Sequence, residues 1–138
     1  MMPTDPPSIL LVDDEPSVLF VLNAVLQEEG FAVECASDGL SALEIFREKK
    51  CDLLVTDFSM PGMNGEELAK EIKATFPDFP IILITGYCKP GINLELFDFV
   101  LDKPFPNQRL LGATKTCLLK AQLWSATRKR PKEVDSLV

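Results

Sequence analysis

The residues best equipped for chemistry stand where short apolar runs stop. Ile9 to Val12 ends at Asp13 and Asp14, Leu53 to Val55 leads to Asp57, Ile81 to Ile84 ends at Thr85 and Gly86, and Phe99 to Leu101 leads to Lys103. Carboxylates gathered at one rim repel each other at neutral pH, and a hard divalent cation among them relieves that repulsion. Mg²⁺ suits the set: it prefers oxygen ligands and keeps waters, which leaves a position for a phosphoryl oxygen. Lys103 adds a fixed positive charge, Thr85 a hydroxyl donor, and Gly86 a backbone N–H that a ligand can approach closely. A carboxylate is a competent nucleophile toward phosphorus. Asp57, alone at the end of its run, is the candidate nucleophile, while the adjacent Asp13 and Asp14 read as a metal-holding pair. Taken singly, each of these residues reads as a cap or turn former. Their joint placement at four run ends is what points to phosphoryl chemistry.

Composition narrows the chemistry further. The chain of 138 residues contains no histidine, which excludes a Ser-His-Asp triad and a His-ligated zinc or haem. Length and a hydrophobic share of 46% fit one globular domain. Residues 1–106 carry 7 basic and 19 acidic side chains, whereas residues 107–138 carry 7 basic and 2 acidic. So acidic a body argues against direct nucleic-acid binding. Cysteines 35, 51, 88 and 117 show neither a Cys-x-x-Cys pair nor zinc spacing, and no apolar run reaches the roughly 18 residues of a membrane span. With no leader pattern at the start, the expected location is a reducing cytoplasm, with no membrane contact of its own.

The elements that must position these residues can be read from periodicity. The apolar runs are strand-sized and continuous, as in a parallel sheet buried on both faces. Between them lie helical patterns: Pro16 onward with Val18, Leu19, Val21, Leu22, Val25 and Leu26 and a stop at Gly30; a second, capped by Ser37 or Asp38, with Leu40, Leu43 and Phe46 on its apolar face; and a third, capped by Asn64, with Leu68, Ala69 and Ile72. A second strand is expected over Phe31 to Ala36, a weak helical segment around Asn93 to Phe97, and a last helix from about Asn107 to Trp124. The alternation predicts one α/β domain, a five-stranded parallel sheet with helices on both faces and right-handed crossovers. Residues 1–7 read as a disordered lead-in, 8–124 as the domain, and 125–138 as a basic tail or linker. In such a sheet ligands bind at the carboxyl ends of the strands, which is where the polar residues fall.

These motifs resemble the receiver (response regulator) domain of two-component signalling. The matching stretches are Ile9 to Glu15, Asp57 to Gly65 with its Ser59-Met60-Pro61-Gly62-Met63-Asn64 core, Ile84-Thr85-Gly86 and Lys103-Pro104-Phe105. The resemblance implies a flavodoxin-like sheet of order 2-1-3-4-5 and a phosphoryl group accepted, with Mg²⁺, from a sensor histidine kinase or phosphotransfer protein. It implies Asp57 as phosphoacceptor and, for the metal, Asp14 directly, Asp13 through water, Asp57 itself and the Ser59 backbone carbonyl. Thr85 and Gly86 would contact the phosphoryl group and Lys103 would pair with it. The chain would be a phosphoacceptor rather than an enzyme, at most assisting its own phosphorylation and a slow hydrolysis.

Two departures stand out. The aromatic that receivers usually carry three residues before the lysine is Val100 here, and Phe99, one place off, should face the other side of its strand. Tyr87 is the candidate aromatic at the same switch surface. Only 17 residues separate Thr85 from Lys103, with Pro90 and Gly91 among them, so the fourth helix should be short or irregular. The altered switch position keeps open a receiver-like interaction module that does not cycle phosphate. A phosphatase resembling the haloacid dehalogenases would need an aspartate where Ser59 stands. Leu119, Leu123 and Trp124 exceed what one packed face needs and mark a candidate homodimer or partner contact, and Cys88, beside the site, is the candidate redox-sensitive thiol.

Overall fold

The computed structural model describes residues 5–86 and 90–120. Five short strands, β1 (Ser8–Val12), β2 (Ala32–Ala36), β3 (Leu53–Asp57), β4 (Ile81–Thr85) and β5 (Phe99–Asp102), form one parallel sheet of order β2-β1-β3-β4-β5. The expected strand order and fold class are thus observed. Strand residues alternate between two cores. Leu10, Val12, Leu54, Ile81 and Leu83 face one layer, and Ile9, Leu11, Leu53, Val55, Ile82 and Ile84 face the other. Covering both faces is why these strands read as unbroken apolar runs. Each fully buried Leu or Ile contributes about 1.5–3 kcal/mol of transfer free energy.

Helices α1 (Pro16–Glu28), α2 (Gly39–Glu48) and α3 (Gly65–Thr75) fill the first three crossovers, and a further helix covers residues 107–120. Pro16 opens α1 where its missing N–H costs nothing, and Gly30 at φ +100° terminates it. Asp38, of the two expected candidates, caps α2 through Ser41 N–H at 2.8 Å. At α3 Asn64 accepts from Glu67 N–H at 2.8 Å while Glu67 returns a bond to Asn64 N–H at 2.9 Å, a reciprocal capping box. α2 and α3 lie over the first core layer, and α1 with the C-terminal helix over the second.

The structure departs from the expectation at several points. Of the face expected on α2, Leu43 is buried and Phe46 packs against the first core layer, but Leu40 is 65% exposed and Ala42 is buried in its stead. Spacing by three drifts off a face that turns every 3.6 residues, so Leu40 is carried to the outside. Val21 is likewise exposed on α1 beside Phe20, at 54% and 76%. β2 begins at Ala32, because Phe31 N–H still bonds back to Leu26 in the helix stop. Among its described residues the fourth crossover holds a 3-10 turn at Leu94–Leu96, consistent with the short linker, and Ile92, Leu96 and Phe97 cover that part of the sheet. Of the expected last helix, residues 121–124 lie outside the described part, and so do the basic tail and the lead-in up to Thr4.

Candidate functional site

Parallel pairing brings the ends of β1, β3, β4 and β5 to one rim, because each crossover returns the chain to the same starting edge. Four of the sequence-predicted residues converge there. Carboxylate oxygens of Asp13, Asp14 and Asp57 lie within 4.8 Å of one another. Lys103 Nζ stands 3.2 Å from Asp13 Oδ2 and 3.3 Å from Asp57 Oδ1. Asp13 is 1% and Asp57 5% exposed, while Asp14 faces solvent. The turn after β1 fixes Asp13, whose Oδ1 accepts from Glu15 N–H at 2.9 Å and whose own N–H bonds Ala36 O at 3.2 Å.

Among the described residues, the site is crowded with anions and has one strong counter-charge, Lys103. Burial and the neighbouring Asp13 push the Asp57 carboxyl above its ordinary range, and Lys103 together with Phe58 N–H only partly offsets them. At Lys103 burial opposes the ammonium, yet Asp13 and Asp57 outweigh it and raise its pKa. Lys103 therefore stays charged and pinned between two acids. Among the described residues, three clustered carboxylates with a single lysine leave net negative charge, and the all-oxygen donor set with an exposed Asp14 fits a partly hydrated Mg²⁺.

The other expected residues fall around this centre. Ser59 lines an open depression of about 440 Å³ with Asp14, Phe58, Met60, Pro61, Gly62 and Asn64. Thr85 is buried at the end of β4, and its carbonyl accepts Lys103 N–H at 2.8 Å, which aligns the last two strand ends. Gly86 is exposed with open space about its Cα. Val100 packs on the first core layer and Phe99 on the second, as strand alternation requires. Tyr87 and Cys88 lie outside the described residues.

Two residues that shape the site were not singled out from sequence as doing so. Gly65, the first residue of α3, sits directly on the Asp57–Phe58 backbone, and Gly39, the first residue of α2, sits against Met63. Their signal was a glycine immediately behind a capping residue, Asp38-Gly39 and Asn64-Gly65, where helical backbone makes no demand for glycine.

The response regulator receiver domain profile matches residues 9–115. The chain is 33% identical over 120 residues to the response regulator MprA of Mycobacterium ulcerans, covering 83% of this chain and 51% of that protein. It is 36% identical over 120 residues to the sensor kinase CckA of Brucella abortus, covering 82% of this chain and 13% of that one. The chain thus spans about half of the first relative and a small part of the second. Among solved structures, it is similar to the response regulator TrrA of Thermotoga maritima in complex with Mg²⁺-BeF, with a TM-score of 0.77 and 36% identity over 81% of this chain and 99% of that one. A receiver domain from Clostridium thermocellum superposes with a TM-score of 0.80 at 29% identity, covering 86% of this chain and 98% of that one.

Proposed function

Because the chain belongs to the response regulator receiver domain family, we propose that Asp57 accepts a phosphoryl group from a phosphohistidine on a partner kinase or phosphotransfer protein. A carboxylate oxygen of Asp57 attacks phosphorus, the phosphorus–nitrogen bond to the donor imidazole breaks, and an acyl phosphate results. The donor must come from elsewhere, since this sequence has no histidine. The observation that carries the reading is the cluster itself: Asp13, Asp14 and Asp57 within 4.8 Å of one another, with Lys103 Nζ bridging two of them.

Roles follow from position. Asp57 ends the central strand, pairs with Lys103, and is flanked by a solvent-facing Asp14 through which a donor can approach. Asp14, Asp13, Asp57 and the Ser59 carbonyl would hold Mg²⁺, which would supply positive charge to the transferring group. Lys103 supplies charge to the same group, and Thr85 and Gly86 stand at the rim to hydrogen-bond it. The chain's own catalysis is limited to assisting transfer and a slow hydrolysis. Domain limits of 8–124 enclose all of these residues. Phosphorylation then shifts the population of surface conformations, and with Val100 at the usual aromatic position the output runs through other groups. Leu119, 59% exposed on the C-terminal helix, marks that helix as the proposed contact with a second copy or partner.

The family relationship does not favour the alternative of a module that no longer cycles phosphate, and such a module would have no use for a buried acid pair clamped by lysine. Incubation with acetyl phosphate and Mg²⁺, read by intact mass, should add one phosphoryl group. Asp57→Asn should abolish the addition. Phosphate on another residue, or none from any small-molecule or histidine donor, would overturn the assignment.

A further inference from the structure

The loop of residues 58–64 carries Ser59 and lines the depression in front of Asp14, so its placement decides where the Ser59 carbonyl lies. Neither of its neighbours Gly39 and Gly65 adopts a left-handed φ; among the described glycines that conformation occurs at Gly30, Gly62 and Gly91. Each opens a helix, and alanine there would ordinarily favour the helix by about 0.5–1 kcal/mol. Space, not conformation, demands glycine at both. A Cβ on Gly65 would collide with the Asp57 carbonyl oxygen and lie 3.0 Å from Phe58 Cα. A Cβ on Gly39 would lie 2.8 Å from Met63 Cβ and 2.9 Å from its Cγ.

The contacts made in that space clamp the loop at both its root and its tip. Gly65 N–H donates to Phe58 O at 2.8 Å, while Phe58 N–H donates to Ile84 O at 3.0 Å, so the peptide units flanking Phe58 are tied to α3 on one side and to β4 on the other. The Thr56 hydroxyl donates to the same Asp57 carbonyl at 2.9 Å, and Thr56 is fully buried. At the tip, Met63 is packed into the first core layer over Gly39. The helix N-termini are themselves rigidly capped by Asp38 and Asn64, so they act as fixed seats.

We propose that Gly65 and Gly39 are positioning residues: their bare Cα atoms are the seats on which the 58–64 loop rests, and they thereby set the Ser59 carbonyl and the Asp57 backbone at metal-binding geometry. This rests on the reading of the acidic cluster as a Mg²⁺ site. Neither glycine touches metal or phosphoryl group; both act through the loop, much as outer-shell groups orient metal ligands.

Mg²⁺ titration by calorimetry on the full chain, alongside thermal unfolding, tests this. Gly65→Ala should weaken Mg²⁺ binding by about tenfold or more, the usual range for losing an orienting contact. Gly39→Ala, whose methyl meets a side chain and not backbone, should weaken it less. Ala74→Gly, at an exposed site of the same helix α3, should lower thermal stability while leaving Mg²⁺ affinity unchanged. Unaltered affinity in both glycine variants, or affinity loss in Ala74→Gly in proportion to its lost stability, would overturn the inference. If Gly65→Ala does not fold, Gly39→Ala against Ala74→Gly decides alone. Absence of Mg²⁺ binding by the wild type would refute the metal reading and this inference together, whereas wild-type binding with unaltered variants refutes the seating only.

Discussion

Neutralising Asp57 should make the protein more stable in the absence of metal, even as it removes the phosphoacceptor. In Asp57→Asn the side chain keeps its shape but loses a charge that burial and Asp13 already disfavour. With oxygens no more than 4.8 Å apart, the repulsion from Asp13 amounts to about 3.5 kcal/mol at an effective dielectric near 20, while Asp14 faces solvent and is screened. Attraction to Lys103 at 3.3 Å returns about 5 kcal/mol on the same scale. These leave a net attraction of about 1.5 kcal/mol, which burial, the largest cause of the raised Asp57 pKa, outweighs, so a gain of about 1 kcal/mol is expected. Lys103 loses little, because Asp13 remains 3.2 Å away. Urea unfolding followed by circular dichroism, in EDTA and then in excess Mg²⁺, measures this directly. Asp57→Asn should exceed the wild type in EDTA, and the gap should narrow in Mg²⁺, because the ion stabilises the wild type more through linkage. A variant no more stable than the wild type in EDTA, with the same response to Mg²⁺, would refute the account of a carboxylate held charged against its burial and Asp13.

Two further outcomes follow from the same residues and from the thiols. Lys103→Met strands Asp13 and Asp57 without their counter-charge; it should cost about 3 kcal/mol in EDTA, the low end for unpairing buried charge because Lys103 is 25% exposed, and recover part of that in Mg²⁺. Equal losses with and without Mg²⁺ would argue that the lysine merely packs. The Cys51 and Cys117 thiols are pushed up to about 12 by burial, with Asp52 and Asp98 adding to the effect, so at pH 8 only about one in ten thousand is thiolate. Both are neutral through the working pH range. Peptide-resolved alkylation with iodoacetamide at pH 8 should therefore modify exposed Cys35 well before Cys117, which should react only on unfolding; equal rates would contradict the burial.

The local order of this protein is written in its sequence for a simple reason. A strand covered on both faces must be apolar throughout, so Ile9 to Val12, Leu53 to Val55 and Ile81 to Ile84 announce themselves, and the polar residue that ends each run announces the rim. Asp38 and Asn64 are legible as caps because capping is a contact between residues three apart. The displacement of Phe99 from Val100 to the opposite layer follows from alternation alone. Leu40 was misplaced because a spacing rule cannot say which stripe of a helix the sheet will cover.

What required the folded chain is contact between distant residues. Nothing local joins Lys103 to Asp13, 90 positions earlier, or lets Asp13 raise the Lys103 pKa; that needs the crossovers to deliver both to one rim at 3.2 Å. The glycines make the same point from the other direction. Gly65 and Gly39 are legible only as small residues beside caps, and their function is an emptiness that the Asp57 carbonyl and Met63 fill. Sequence by itself determined which groups could do the chemistry and which element each belongs to, since those depend on near neighbours. Tertiary structure alone decided how closely the groups approach and what fixes the loop around them, since those depend on excluded volume between segments far apart in the chain.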